Sequence, residues 1–215
     1  MAEKYKKIQR NRGMTYVELI VVLSIFSVLS SVAVFNYGAF QDRVDIKNLA
    51  SDITLKIVEA QNSSLAGVLP VSGGYDSSWK PSYGVYFNSS ASSDVDGISF
   101  NKKFIYFTDL GTALSSQNGM FDGSTSSCTG ECLDKISITK NNYISRLDAC
   151  YATPCATTSP LNDLTISFSR PNSGATIKSS SIFISPVSYI QITIASPKGA
   201  TSLIKLYPSG RVQVN

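Results

Sequence analysis

The feature that most constrains this chain is an apolar segment close to its N-terminus. Residues 19–40 read LIVVLSIFSVLSSVAVFNYGAF and contain no charged side chain. A segment of this length matches the roughly 20 residues that a bilayer-crossing helix requires. The sequence therefore predicts one transmembrane helix over residues 19–40, with membrane lipid as a partner.

Charge is distributed unevenly around this segment. The chain of 215 residues carries a net charge of +4, and the Lys, Arg and Glu side chains of residues 1–13 account for all of it. The basic flank of a membrane span is usually the cytoplasmic one. We therefore expect a single-pass protein of the cytoplasmic (inner) membrane, with a cytoplasmic N-terminus and an extracytoplasmic head. The neutral remainder argues against strong nucleic-acid binding.

One carboxylate, Glu18, stands at the entrance of the apolar segment. An ionised carboxylate in hydrocarbon costs roughly 2.5–3.5 kcal/mol on insertion scales, so it needs a partner or a role. An uncleaved signal anchor has no use for it, and neither has a secretory signal that is cut near Ser31, Val32 and Ala33. The remaining alternative is a leader that is removed upstream of Glu18.

The residues around Glu18, RGMTYVEL at positions 12–19, resemble the processing site of type IV prepilins and type II secretion pseudopilins. In that family a prepilin peptidase cuts after the glycine and methylates the new N-terminus, and a glutamate is the fifth mature residue. The resemblance implies a cleaved leader over residues 1–13, an N-methylated Met14, and an assembly role for Glu18. Met14 stands where Phe is commonest. Phe35 replaces a frequent helix-kinking proline, which implies a straighter helix.

Physical chemistry gives this spacing a reason. After cleavage, the amine of Met14 would lie at the positive end of a helix dipole, and Glu18 would follow one turn later on the same face. A carboxylate there compensates the amine and the dipole together. Glycine lets an extended backbone enter a protease cleft, while the basic leader holds the site at the membrane surface.

Beyond residue 40 the apolar side chains follow a helical period of three and four residues. This pattern predicts that the helix continues to Ala66 and ends at Gly67, giving residues 14–66 a length on the order of 80 Å. The predicted apolar face consists of Val44, Ile46, Leu49, Ile53, Ile57, Val58 and Leu65.

Residues 67–215 read as a β-rich head. Short runs rich in β-branched and aromatic residues alternate with Ser, Gly, Asn and Pro clusters, which favours antiparallel strands. The runs lie at residues 83–88, 97–107, 135–139, 164–170, 181–185, 189–195, 203–207 and 211–215. The expected fold is α+β, a pilin-like long helix packed on an antiparallel sheet. The ending LIKLYPSGRVQVN predicts a hairpin that turns at Pro208, Ser209 and Gly210, and it weakly resembles minor pseudopilins of the GspH/FimT-like group.

Four cysteines, Cys128, Cys132, Cys150 and Cys155, form two closely spaced pairs. Four thiolates could hold zinc, but an extracytoplasmic head favours disulfides, and free thiols are the third alternative. Three disulfide connectivities are possible, and we expect the one with two local bonds, Cys128 to Cys132 and Cys150 to Cys155.

Other signals for chemistry are sparse. The chain contains no histidine, which excludes a Ser-His-Asp triad and His-based metal sites, so we expect no enzyme, no cofactor and no metal. The DVDG stretch at residues 94–97 is similar to part of a calcium loop, but it lacks the bidentate glutamate and is more typical of a plain turn.

Two functions remain. The first is a minor pilin or pseudopilin, a structural subunit whose partners are the prepilin peptidase, other subunits and an inner-membrane assembly platform. The alternative is a filament-borne DNA receptor for natural transformation, with a basic patch from Lys178, Lys198, Lys205 and Arg211.

Overall fold

The computed structural model describes residues 13–69, 80, 82–110, 117–152, 154–155, 160–180 and 187–215. These residues form one long helix, α1 (Tyr16–Ala66), and ten strands. The strands are β1 (Ser82–Asn88), β2 (Lys103–Asp109), β3 (Cys132–Ser137), β4 (Tyr143–Cys150), β5 (Pro160–Leu161), β6 (Asp163–Ser169), β7 (Ala175–Lys178), β8 (Tyr189–Ala195), β9 (Thr201–Leu206) and β10 (Val212–Val214). The fold is α+β, as expected. Of the leader predicted over residues 1–13, only Gly13 lies among the described residues.

The strands form two antiparallel sheets of five strands each. The first sheet has the order β3-β2-β1-β6-β7, and the second has the order β10-β9-β8-β4-β5. Contacts along the backbone divide the chain into two units, Met1–Gln41 and Asp42–Asn215. Both sheets and the second part of α1 belong to the latter unit, which we call the head.

The head has one hydrophobic core, to which both sheets and α1 contribute. Side chains of the strands alternate toward it with the period of two that strand geometry imposes. In β1 the inward residues are Tyr83, Val85 and Phe87, and in β8 they are Ile190, Ile192 and Ile194. The core therefore follows from the alternating apolar pattern of these strands.

The part of α1 in the head presents a narrow buried stripe. Its buried members are Ile46, Ala50, Ile53, Ile57, Ala60 and Ser64. Three of the seven predicted apolar residues belong to this stripe, whereas Leu65 is exposed. Small residues complete the stripe because they let the helix approach the sheets closely, and a pattern that counts only large apolar side chains overlooks them.

Gly67 ends α1 as predicted. Its φ of 67° is left-handed, and the N–H groups of Gly67 and Val68 donate to the carbonyls of Ser64 and Ser63 at 3.1 Å each. This pair of hydrogen bonds is a Schellman motif. The guanidinium of Arg170 also donates to the Leu65 carbonyl, at 2.8 and 3.0 Å. The head thus satisfies the carbonyl end of its own helix.

The strand predictions were partly right. The runs at residues 83–88, 164–170 and 189–195 coincide with β1, β6 and β8, and the last two runs form the β9–β10 hairpin, in which Gly210 N–H donates to the Tyr207 carbonyl at 2.8 Å. The run at residues 97–107 is interrupted by a short 3₁₀ helix, Phe100–Lys102. The run at residues 135–139 is displaced, because β3 ends at Ser137. The run at residues 181–185 lies outside the described residues.

Three strands were not predicted, namely β4, β5 and β7. β4 pairs with both β5 and β8, so it occupies an interior position in the second sheet. Its sequence, YISRLDAC, places Arg146 and Asp148 among apolar residues, and a bulge between Ile144 and Arg146 shifts its alternation. A shift of one residue exchanges the two faces of a strand, which hides the period of two in the sequence.

Candidate functional site

The predicted cleavage junction lies just ahead of α1. Gly13 and Met14 are exposed and precede the first helical residue, Tyr16, so the helix begins two residues later than predicted. A Cβ atom built on Gly13 would meet no atom within 4 Å. Packing among the residues that the structure describes therefore does not require glycine at position 13.

Thr15 is the N-cap of α1. Its Oγ1 accepts a hydrogen bond from the Glu18 N–H at 3.3 Å, and its carbonyl accepts one from the Leu19 N–H at 3.1 Å. Thr-x-x-Glu is the sequence signature of a capping box, a signal that sequence reasoning missed although Thr15 and Glu18 were both in view. The exposed carboxylate of Glu18 thus lies in the first turn, where the helix dipole favours negative charge.

The large apolar side chains of the segment that follows are exposed. Leu23 is 57% exposed, Phe26 67% and Phe35 84%, and no surrounding side chains bury any of them. By length and composition, α1 is the one helix of the described chain that could cross a membrane, a property that N-terminal signal sequences share. The chain supplies no cover of its own for this surface among its described residues.

Both expected disulfides are present. One joins Cys128 to Cys132, where β3 begins, and the other joins Cys150, the last residue of β4, to Cys155. All four sulfurs are therefore committed to covalent bonds, and the thiolates that zinc would need do not exist in this state. Each disulfide loop closes at one end of a strand.

The DVDG stretch forms a turn whose carboxylates are held by lysines. Lys103, only 2% exposed, lies 2.6 Å from Asp94 Oδ2 and 3.0 Å from Asp96 Oδ2. Lys135 lies 3.0 Å from the same Asp96 oxygen. The Thr125 hydroxyl also donates to Asp94. These contacts neutralise the carboxylates, so ion pairs and hydrogen bonds connect the turn to β2, to β3 and to Thr125.

Hydrogen bonds set the ionisation of this turn. Burial alone would raise the pKa of Asp94, but hydrogen bonds from Lys103, Thr125 and the Val95 N–H together outweigh it and leave the pKa lowered. The Ile98 N–H, and after it Lys135, hold the pKa of Asp96 far below its usual range. Asp96 thus remains a carboxylate well into acid, and the pKa of Asp94 is shifted in the same direction, as charge-assisted hydrogen bonds favour.

A flap, residues 117–131, lies against the face of the first sheet that points away from the core. The ring of Phe121 packs 5.2 Å from that of Tyr86 and 5.4 Å from that of Phe107. Glu131 holds the flap by accepting the N–H groups of Leu110 and Asp122 at 3.1 and 2.9 Å. Burial raises the pKa of Glu131, although these two hydrogen bonds oppose the effect.

The four cations of the predicted basic patch do not form one surface. Lys205 lies over the ring of Tyr189 at 5.2 Å, and Arg211 lies over that of Tyr207 at 3.9 Å; these two rings are neighbours, 5.7 Å apart. Lys178 instead donates to the Asn118 carbonyl of the flap, and Lys198 pairs with Asp42 on α1. Only Lys205 and Arg211 are thus brought together.

The described residues offer little for catalysis. Among them, no group of three or more His, Cys, Asp or Glu side chains could hold a metal ion. A polar cleft of about 170 Å³ lies beside the flap, and its walls include Asp109, Gln117 and Ser167. Asp109 accepts the Gly119 N–H at 2.6 Å, and the Ser167 hydroxyl donates to the Gly119 carbonyl at 3.1 Å. The polar groups of this cleft therefore serve mainly to hold the flap.

Comparison of the chain with family models, with curated proteins and with solved structures found no match.

Proposed function

We propose that this protein is a membrane-anchored structural subunit of a type IV pilus or type II secretion-like filament, a minor pilin or pseudopilin and not an enzyme. The observation that carries the proposal is the junction at Gly13. An exposed, non-helical Gly13 and Met14 are followed at once by a capped helix with one acid in its first turn and an exposed apolar segment. A β-rich head with two disulfides completes the chain.

The junction suits proteolytic processing. A protease binds its substrate as extended backbone, and the two residues flanking the proposed cut, Gly13 and Met14, are exposed and lie outside the helix. Gly13 has no packing role among the described residues, and a requirement of the peptidase would explain the glycine. In this proposal a prepilin peptidase of the inner membrane removes residues 1–13 and methylates the amine of Met14.

Glu18 has two physical roles that must be separated. Within one chain it complements the capped, positive end of α1. In a filament, the apolar segments of neighbouring subunits would cover one another, and the Met14 amine of one subunit would meet the Glu18 carboxylate of the next. An unpaired charge in an apolar bundle is expensive, so such a pair would fix the axial register of the subunits.

A pair of variants separates these roles. Thr15→Ala removes the N-cap and keeps the carboxylate, whereas Glu18→Ala keeps the cap hydroxyl and removes the carboxylate. We expect Thr15→Ala to fray the helix start, at a cost of about 1 kcal/mol, and still to enter filaments. Glu18→Ala should be cut at Gly13 and inserted normally but be missing from sheared filaments. Equal incorporation of Glu18→Ala and wild-type protein would remove the assembly role.

Processing is tested by intact-mass measurement of the membrane-extracted protein. The expected species begins at N-methylated Met14, and bulkier replacements of Gly13 should accumulate the unprocessed chain. A retained Met1, or an N-terminus near Val34, would contradict the proposal.

The second candidate, a filament-borne DNA receptor, is favoured by the pairing of Lys205 and Arg211 with neighbouring tyrosines. Arginine and aromatic groups together bind nucleic acid by charge and stacking. However, Tyr189 is only 3% exposed, so little of its face is open to a base. We expect weak, salt-sensitive binding to a DNA oligonucleotide. Submicromolar, salt-tolerant binding that Arg211→Ala abolishes, while the distant Lys198→Ala does not, would favour the receptor.

A further inference from the structure

Two turns of the head meet α1 just beyond its apolar segment, and each contributes a lysine. In the turn between β3 and β4, Lys140 Nζ lies 2.6 Å from Asp45 Oδ1. In the turn between β8 and β9, Lys198 Nζ lies 3.2 Å from Asp42 Oδ2. Both ion pairs lie within the head unit, Asp42–Asn215, and they mark the end of the head at which α1 enters it.

In each pair the acid is sheltered and the cation is open. The side chains of Asp45 and Asp42 are 11% and 19% exposed, whereas those of Lys140 and Lys198 are 59% and 67% exposed. An ammonium has three N–H donors, and one carboxylate does not use them all. Each lysine therefore keeps an outward face that can bind a second anion.

Further cations lie at the same end of the head. Lys102 Nζ donates to Asn141 Oδ1 at 3.3 Å, and Asn141 is the residue after Lys140 in the turn between β3 and β4. Arg43 and Lys47 are exposed on the first turns of α1 within the head. We call these five residues the basic collar: Arg43, Lys47, Lys102, Lys140 and Lys198. Three acids, Asp42, Asp45 and Asp52, lie among them. The collar is thus net positive, whereas the head as a whole is close to neutral.

The chain brings the collar to a lipid surface. Asp42 and Asp45 follow the apolar segment, which ends at Phe40, within the same continuous helix. At 1.5 Å per residue they lie roughly 3–8 Å beyond Phe40 along the helix axis, which is the depth of lipid headgroups when the segment spans a bilayer. Lysines paired with these two acids would therefore stand at the headgroup layer.

We propose that the basic collar binds anionic lipid headgroups and so docks the head on the membrane surface before the subunit enters a filament. This inference depends on the proposed function, since it requires residues 19–40 to span the bilayer. Each lysine near an anionic surface contributes about fivefold in binding at physiological salt. The effect weakens as salt shortens the Debye length.

The test uses the full chain, with its disulfides intact, in vesicles of phosphatidylcholine alone or with added phosphatidylglycerol. A nitroxide spin label is attached at Pro197→Cys, an exposed position beside Lys198. The label reports the mobility of this turn and its contact with a nickel-chelating lipid at the vesicle surface. We expect phosphatidylglycerol to lower the mobility of the label and to raise its contact with the nickel-chelating lipid. High salt should reverse both changes. The Lys140→Gln/Lys198→Gln double variant should weaken the docking about 25-fold.

Two further variants keep the assignment sharp. Asp42→Asn/Asp45→Asn removes both ion pairs but leaves the cations, so lipid docking should persist or strengthen; a loss like that of the lysine variant would mean that the lysines only fasten the turns to α1. Lys178→Gln/Lys205→Gln makes the same charge change elsewhere and should dock normally. A label response that is identical in both vesicles would overturn the proposal. So would a loss of docking in this control as large as the loss in the Lys140→Gln/Lys198→Gln variant.

Membrane insertion is measured separately, by resistance of the same vesicles to alkaline extraction. Extraction of the protein from both vesicle types would refute the anchoring on which the proposed function depends. Retention of the protein without any lipid-dependent label response would refute the collar alone.

Discussion

The two parts of α1 share one backbone conformation but differ in what surrounds them. In residues 16–41 the large apolar side chains are exposed, as at Phe26 and Phe35. In residues 42–66 a stripe that includes Ile53 and Ile57 is completely buried in the head core. Helical structure therefore does not by itself show that the apolar side chains of a segment are buried against other residues.

The difference identifies the part of α1 whose apolar side chains are not covered by other described residues of the chain. Soluble proteins seldom expose a large continuous apolar surface, and one that does so has an interaction partner or a membrane. The second part of α1 finds its apolar partners inside the head and has its end capped by Gly67 and Arg170. The first part has a cap at Thr15 but no apolar partner among the described residues. In the proposed function, lipid and neighbouring subunits supply that apolar partner.

The largest expected effect comes from truncating the buried stripe. Ile57→Ala should lower the free energy of unfolding of the head by about 2–5 kcal/mol, because it removes fully buried methyl groups and leaves a cavity. The matched control is Leu55→Ala, two residues away and 65% exposed, which should change it by less than about 0.5 kcal/mol. Chemical denaturation in detergent, followed by near-ultraviolet circular dichroism, measures both.

The same assay can break the comparison at the other part of the helix. Ile25→Ala, at a residue 55% exposed, should leave head unfolding unchanged within about 0.5 kcal/mol. A destabilisation of the head as large as that of Ile57→Ala would show that residues 16–41 pack on it, and the two parts of α1 would no longer be distinct.

How far the sequence predicts this molecule depends on how local each signal is. The helix end at Gly67, the strand β8 and the hairpin before Val212 were predictable because their signals lie within a few residues. The local disulfide pairs were predictable for the same reason. The strand β4 was not, because Arg146 and Asp148 lie among its apolar residues and a bulge hides its alternation.

The candidate sites divide in the same way. The Thr15 to Glu18 spacing carried a capping signal that was readable and missed. By contrast, no local sequence signal near Asp94 or Asp96 indicates that Lys103 and Lys135 neutralise them. Only the folded sheet places the strands that carry these lysines next to the two carboxylates. The pairing of Lys198 with Asp42 is even less local, because the two residues are 156 positions apart. Sequence reasoning for that reason assigned Lys198 to a patch it does not join.

A smaller effect is expected from opening a disulfide of the head. Cys150→Ser/Cys155→Ser should lower the free energy of unfolding by about 2 kcal/mol, since closing so short a loop restricts the unfolded chain only moderately.

If the two parts of α1 are independent, far-ultraviolet circular dichroism in detergent should show residues 16–41 still helical after the head has melted. A single transition that melts the whole helix at once would contradict that independence.

The smallest expected effect is a change in acid sensitivity, which should reside in the head. The lowered pKa of Asp96 means that its contribution is complete above the unfolded pKa of about 3.9 and is lost as pH falls toward the folded value. Asp94, with a lowered pKa, acts in the same direction, whereas Glu131, with a raised pKa, loses its contribution as pH rises. Only the difference between wild type and variant therefore isolates one group.

Asp96→Asn should accordingly be less stable than wild type near neutral pH, and this deficit should shrink as pH is lowered from about 5 to about 2. The thermal midpoint of the head, recorded at each pH, gives the deficit directly. Val95→Ala is the matched control, because Val95 is 94% exposed in the same turn and carries no ionisable group, so it should follow the wild-type curve. A deficit for Asp96→Asn that is constant across this range would mean that Lys103 and Lys135 do not stabilise the ionised carboxylate.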